Sequence, residues 1–594
     1  MTKRYLFQME FYIALLGVLL AVGTADGADT FPPPCDSDIY CQGPLLHTVQ
    51  MARIHNDSKH FVDMSMRLSP EEVKAAFQTM MARTAGQPSR EDVRDFLDRN
   101  FQQPGSEFVA WNPSDWVDNP AFLARIRDPK LRAWIEDLHV TWKDLGREVA
   151  GEVYLHPDRY SLIFVPNPTI VPGGRFREYY YWDSYWVMKG LLLSEMHNTV
   201  KGMLQNFLAM VDRFGFVPNG GRIYYRRRSQ PPFLTAMMKL YMDATDDREF
   251  LRSNIGFLEQ EFKFWVQHRG VNVTKDGKQY KMYRYNAQVG QPRPESYRED
   301  YELVQQTLGG QHAGEEEQLY AELKSGAESG WDFSTRWFVP DAGQKGTLKD
   351  VKTRFIVPVD LNSLIYLNAR LISEFYTLLG EDARAAQFQD YAERQKRNIE
   401  EVLWDEHSGS WFDWDTKNER LNKKFYPSNM FPVWVNASKP QQNAKFLRYI
   451  QDNVTNFTSG VPTSLEKSGQ QWDFPNAWPP LQHVMIESLN NMATDQADQL
   501  AFNLTQRWID TNYLCYMEAR PHVMFEKYDV TQMGLPGGGG EYNVQVGFGW
   551  SNGVAMALAE QYGDRLRAPG SSAGRSVASL MLLLLTLLLP SLTA

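Results

Sequence analysis

Helical periodicity that returns in adjacent pairs constrains this chain more than any other feature. Leu361, Leu364, Ile365, Leu371, Ile372, Phe375, Leu378 and Leu379 keep the i, i+3, i+4 spacing of an apolar helix face, and Gly380 supplies a stop. A second helical pattern follows at once, from Asp382 to Trp404, with Phe388, Tyr391, Ile399 and Leu403 among its apolar positions. Similar pairs are drawn over 184–214, 233–267 and 481–510, each followed by a loop rich in Trp, Gly, Arg and Asp. Strand alternation is scarce. The recurring order predicts an all-α architecture whose inter-helix loops collect at one end, and a closed ring of pairs, an (α/α) barrel, puts those loops around one mouth. Periodicity alone neither counts the pairs nor closes the ring. No Gly/Ser-rich or Pro-rich linker and no long charge run divides residues 60 to 560, so one domain is the economical reading.

The two ends are of another kind. A basic start at Lys3 and Arg4, an apolar run from Phe11 to Val22 and small residues from Gly23 to Gly27 read as a cleaved secretory signal, assigned to residues 1–25. That run is too short to span a membrane comfortably. At the other end, Pro569-Gly570-Ser571-Ser572-Ala573, a polar spacer and a greasy tract from Leu580 to Leu589 have the form of a GPI-anchor signal. Attachment is expected at Ser571, with residues 572–594 removed and 26–571 left as a single domain with an N-terminal extension. A short C-terminal membrane helix is the rival, weakened by the lack of a basic stop after the tail. The expected address is the extracellular face of the cell membrane. That address makes glycan sites of the sequons at Asn56, Asn272, Asn436, Asn453, Asn456 and Asn503. Of three cysteines, Cys35 and Cys41 are close enough for a small disulfide loop, leaving Cys515 buried and reduced. The 72 acidic residues against 62 basic ones give no support to a phosphate-binding surface, so nucleic acid is not an expected partner. No oligomeric state follows.

Several generic motifs fall away on physical grounds. Gly549-Trp550-Ser551-Asn552-Gly553 spells the G-x-S-x-G nucleophile elbow, but no His lies beyond His522 to complete a triad. The 11 histidines show no H-x-H or HExxH spacing and Cys515 has no CxxC partner, so no metal site is expected. Gly537 to Gly540 lacks the Lys-Ser/Thr of a phosphate loop and reads as a flexible flap. What remains is acids and arginines embedded in aromatic loops. The segments are PGGRFREYYYWDSYW (172–186), PNGGRIYYRRRSQ (218–230), RPESY (293–297), SGWDFSTRW (329–337), QWDFPNAWPP (471–480) and FEKYD (525–529). A sugar offers such loops hydroxyls for the polar groups and C–H faces for the rings. Each acid has a plainer use: Asp183 as the cap of the helix that follows, Asp332 paired with Arg336, Glu526 paired with Lys527. Trp331 beside Asp332 and Phe525 beside Glu526 suggest apolar walls, the setting that keeps a carboxyl protonated.

PGGRFREYYYWDSY resembles the first signature of the animal trehalases, of the trehalase family of glycoside hydrolases. QWDFPNAWPP resembles the second, with Ala477 where many members carry Gly, and the likeness covers most of the chain. The resemblance implies an (α/α)6 barrel with a pocket at one end, hydrolysing α,α-trehalose to two glucose molecules with inversion and without a cofactor. By similarity Asp332 is the general acid and Glu526 the general base. Arg175, Arg228 and Arg293 match arginines that hold sugar hydroxyls, while Trp182, Asp183, Asn219, Gln230, Glu295 and Gly330 sit at matching substrate-binding positions. Phe176, Tyr180, Trp478 and Glu541 are further pocket candidates, and the glycine run beside Glu541 is expected to close over a small disaccharide. The implied partners are trehalose and a membrane reached through the GPI lipid. Two alternatives stay open: another helical-barrel glycosidase of glucoamylase type, and a surface sugar-binding protein without catalysis.

Overall fold

Whether a helix is apolar all round or on one stripe decides where it stands in this molecule. Val359–Leu379 buries residues on every side, from Leu361 and Asn362 round to Tyr376 and Leu379, and belongs inside. Its successor Asp382–Leu403 buries one stripe, including Ala385, Phe388, Ala392, Ile399 and Leu403, and belongs outside. Gly380, at φ 78°, turns the chain between them. In this computed structural model, residues 31–310, 313–341 and 344–570 are described. The expected signal (1–25), the expected anchor residue Ser571 and the tail 572–594 lie outside the described residues.

The same alternation repeats around a closed ring. Twelve helices build it: α1 (Pro129–Val140), α2 (Asp183–Leu193), α3 (His197–Phe214), α4 (Leu234–Thr245), α5 (Arg248–His268), α6 (Val359–Leu379), α7 (Asp382–Leu403), α8 (Phe431–Trp434), α9 (Pro440–Val454), α10 (Pro479–Asn491), α11 (Asp495–Glu518) and α12 (Gly549–Gln561). Inner helices α2, α4, α6, α8, α10 and α12 touch in that order, and α12 closes on α2. Five of them are followed in the chain by an outer partner; the sixth outer helix, α1, comes first in the chain and packs on α12. The ring is therefore an (α/α)6 barrel.

Four of these helices lie outside the pairs read from the sequence. α8 is four residues long and too short to show a period, and α12 is buried along nearly its whole length, so it has no polar face to alternate with. The joint between α2 and α12 is tight enough to need glycine. A Cβ on Gly553 would stand 2.0 Å from the carbonyl oxygen of Trp186, and one on Gly190 2.9 Å from the Cα of Gly553. The G-x-S-x-G letters thus spell the first turn of a packed helix, where Ser551 Oγ donates to the Phe525 carbonyl at 2.6 Å.

Strands are confined to the loops, in sheets of two or three among the described residues; the hairpin Gly270–Lys275 with Lys278–Tyr283 is the longest ladder. Before the ring, Gly43–Met51, Ser58–Asp63, Pro70–Arg83 and Arg90–Asn100 form a helical segment with its own apolar cluster around Leu46, Phe61, Val73 and Phe96. Tyr180, Tyr224 and Tyr225 reach into that cluster from the barrel loops. Cys35 and Cys41 form the expected disulfide. Cys515 is free and buried, and burial pushes its thiol up to about 12. Asn56, Asn272, Asn436, Asn456 and Asn503 are exposed, whereas Asn453 is half-buried and donates to the Tyr449 carbonyl at 2.8 Å. No helix among the described residues is long and apolar enough to cross a membrane.

Candidate active site

Loops that precede five of the six inner helices meet at one end of the ring, and they carry the aromatic segments. Asp183 is the first residue of α2, Gln230 precedes α4, Asp332 lies on the way to α6, Trp478 caps α10, and Glu526 and Glu541 lead into α12. All fifteen residues singled out from the sequence line one cavity. It gathers Asp332, Glu526, Arg175, Phe176, Tyr180, Trp182, Asp183, Asn219, Arg228, Gln230, Arg293, Glu295, Gly330, Trp478 and Glu541. Tyr225, Ser296, Ala327, Trp472, Tyr542, Phe548 and Trp550 complete the wall and were missed. Four of them had a signal in the letters: Tyr225 lies inside PNGGRIYYRRRSQ, Ser296 inside RPESY and Trp472 inside QWDFPNAWPP, and Tyr542 follows Glu541.

Aromatic rings make the apolar surface. Trp472 and Trp478 stack at 3.8 Å and 1°, while Trp550 meets Trp478 and Trp182 edge-on at 5.7 and 5.9 Å. Gly330 contributes space: it holds φ 76°, and a Cβ there would lie 2.9 Å from the Trp182 ring. Gln230 Oε1 accepts from the backbone N–H of Trp182 at 3.2 Å and fixes that edge of the wall.

Arginines and acids make the polar surface. Arg228 donates to Asn219 Oδ1 at 2.9 Å and Glu295 Oε1 at 2.6 Å; its Nη1 and the other Glu295 oxygen are buried with no hydrogen-bond partner. Burial pushes the Glu295 carboxyl up, but Arg228 and Arg293 outweigh it and leave it below the usual range. Arg293 forks onto Asp300 and gives a bond of 2.8 Å to Glu541, which also accepts from Ser296 Oγ at 3.0 Å. Glu541 is nonetheless raised to about 7, by burial first and with Asp300 and Asp332 adding to it.

The remaining acids stand in unlike surroundings. Asp332 keeps 32% of its side chain exposed and is reached by Arg293 Nη1 only at 3.9 Å. Desolvation raises its carboxyl to about 6 against the pull of Arg293 and Arg228. Glu526 is buried; its carboxylate accepts from the Tyr542 hydroxyl at 2.8 Å and lies 3.7 Å from Lys527 Nζ. Asp183 is raised well above the carboxylate range by burial and by the charges of Glu526 and Asp332.

The plainer uses of these acids divide. Asp183 is not the cap of α2: Trp182 holds that position and no side chain bonds the helix end. Arg336 is taken by Asp360 and Asp413 and leaves Asp332 to the cavity. Glu526 does lie beside Lys527, but within the site. The glycine run is less free than a flap: Gly537 N–H donates to the Lys527 carbonyl and Gly538 N–H to Asn476 Oδ1, and the Gly538 carbonyl accepts from Asn476 Nδ2.

The sequence model of the trehalase family matches residues 53–563. The chain is 49% identical to the trehalase of Apis mellifera over 94% of this chain and 88% of that one. It is 49% identical to the trehalase of Homo sapiens over 93% of this chain and 94% of that one. Among solved structures it resembles the neutral trehalase Nth1 of Saccharomyces cerevisiae with a TM-score of 0.56, at 24% identity over 69% of this chain and 74% of that one, a likeness of fold. With a ring of six helix pairs, a cavity that gathers both signature segments and these relatives, the chain belongs to the trehalase family.

Proposed function

We propose that this chain hydrolyses α,α-trehalose to two glucose molecules by an inverting general acid/general base reaction. One observation carries the reading: Asp332 and Glu526, two carboxyls in unlike surroundings, line the same cavity of arginines and aromatic rings. Relatives named trehalase over nearly the whole chain support the substrate. Asp332, raised to about 6, gives its proton to the glycosidic oxygen as the bond from that oxygen to the anomeric carbon breaks. Glu526, as the carboxylate that accepts from Tyr542, takes a proton from the water that bonds to the same carbon on the opposite face. One water is consumed, two glucose molecules leave, and solvent returns the proton from Glu526 to Asp332.

An inverting pair needs its carboxyls about 6.5–9.5 Å apart to leave room for that water. Arg175, Arg228 and Arg293 keep their charge and hold hydroxyls without competing as bases. The free Arg228 Nη1 and Glu295 Oε2 match a ligand rich in hydroxyls. Asp183, kept protonated, both donates to and accepts from a sugar hydroxyl. Following fresh trehalose by NMR tests the reading: inversion releases equal α- and β-glucose before mutarotation, whereas retention gives only α. Comparable cleavage of maltose replaces trehalose with a glucan substrate, and no glucose at all leaves a sugar-binding protein.

Attachment of residues 26–571 to the outer face of the cell membrane through a GPI lipid is part of the same proposal, and it rests on the composition of the two ends. A phospholipase specific for phosphatidylinositol should release the activity from intact membranes. Activity that stays membrane-bound after the treatment refutes the anchor.

A further inference from the structure

The N-terminal segment has its own apolar cluster and gives no helix to the ring, yet one of its side chains reaches the cavity wall. Asp57 takes Arg175 in a fork, accepting from Nε at 2.8 Å and from Nη2 at 2.7 Å. The guanidinium so held lies 4.5 Å from the ring centre of Tyr542 and 5.3 Å from that of Phe176. Tyr542 in turn donates its hydroxyl to Glu526 Oε1. A contiguous path therefore runs from Asp57 through a charged fork and an aromatic face to one oxygen of the carboxylate that the proposed function makes the base.

The place of Asp57 is itself fixed. It caps Ser58–Asp63, accepting from the Lys59 N–H at 2.8 Å. Arg298 binds the carbonyls of His55 and Asn56, both at 2.6 Å, and Ser58 Oγ at 3.1 Å. Lys59, buried, meets Glu178 of the first signature at 2.8 Å. Four attachments are more than one surface cap needs, and together they hold a carboxylate against an arginine of the cavity wall.

We infer that Asp57 is a positioning residue for the reaction. It fixes the Arg175 guanidinium, and through it the Tyr542 ring against Glu526, so that the N-terminal segment completes the site from outside the barrel. The inference rests on the proposed role of Glu526. Asp57→Asn tests it with little disturbance, because asparagine still caps a helix but cannot take an arginine as a charged fork. On trehalose we expect kcat/KM to fall by about 10- to 100-fold, with kcat carrying part of the loss. Because Arg175→Lys cannot make the fork, the double variant should be no worse than Arg175→Lys alone, within about threefold. Asp57→Glu, which keeps the charge, should recover part of the loss, a recovery that a purely structural role in the cap does not give. An Asp57→Asn enzyme within threefold of wild type, or losses that multiply in the double variant, overturns the inference. Failure of the wild type itself to cleave trehalose removes the proposed function instead, so the two failures are read separately.

Discussion

Arg336 and Arg293 are both buried among acids, and the comparison separates structure from chemistry in this molecule. Around Arg336, Asp360 takes Nη1 and Nη2 at 2.8 and 2.9 Å, and Asp413 takes Nε and Nη2 at 2.7 and 3.0 Å. Asp413 also accepts from the backbone N–H of Val359 at 2.9 Å, tying the cluster to the first turn of α6. Both acids and the base are spent on one another. Arg293 spends Nε and Nη2 on Asp300 and Glu541, but its Nη1 stops 3.9 Å short of Asp332. Asp332 is thus near enough to feel the cation but beyond hydrogen-bond reach of it. Desolvation wins, and its carboxyl rises to about 6. An arginine whose partners are saturated holds the fold; one that stops short of a hydrogen bond to a carboxyl leaves it able to trade a proton.

The largest effect that could break this comparison is on turnover. Asp332→Asn and Glu526→Gln should each lower kcat on trehalose by about 10³-fold with the circular-dichroism spectrum unchanged. In the folded fraction of Asp360→Asn, kcat should stay within a few-fold of wild type. A catalytic loss in Asp360→Asn equal to that in Asp332→Asn would erase the distinction. Next comes stability, where the order reverses. Asp360→Asn leaves part of a buried guanidinium unpaired and should cost about 3–5 kcal/mol, read from urea unfolding.

The pH profile sharpens the comparison by a smaller amount. If Asp332 must be protonated to act, kcat/KM should fall as pH rises through about 6. Arg293→Gln removes a cation that lowers the Asp332 value, so that alkaline limb should move upward in the activity that remains. A limb that stays put separates Asp332 from Arg293. Smallest is the effect of Asp332 on stability. Its value is higher folded than unfolded, so the native state gains from the proton at low pH and loses that gain as pH rises from about 4 through about 6. Asp332→Asn mimics the neutral form throughout. Its Tm should match wild type near pH 4 and exceed it by one or two degrees at pH 8, a gap that a stabilising ion pair at Asp332 would invert.

Much of this was legible in the letters because amphipathic stripes and signature loops are local. The patterns over 361–379 and 382–404 announced two adjacent helices, and the ends found at 359–379 and 382–403 lie within two residues. The site residues in the two signatures were legible through long strings of unusual composition. α1 and α12 were not, since the pair they form joins residues 129–140 to 549–561 and no local pattern records that contact. Asp57 left no trace either, because its partner lies 118 residues on and its own neighbourhood reads as a helix cap. The plainer use of Asp183 as a cap could not be set aside from the letters either, and only the placement of Trp182 at the helix end removes it.

By itself the sequence determined that helices would pair and that their loops would carry rings, acids and arginines. Those are consequences of spacing and composition, which each residue carries wherever it lies. The tertiary structure alone decided which carboxyl is hydrogen-bonded to a guanidinium and which is not. Burial and the difference between 2.8 and 3.9 Å to a guanidinium belong to neighbours brought together from distant parts of the chain.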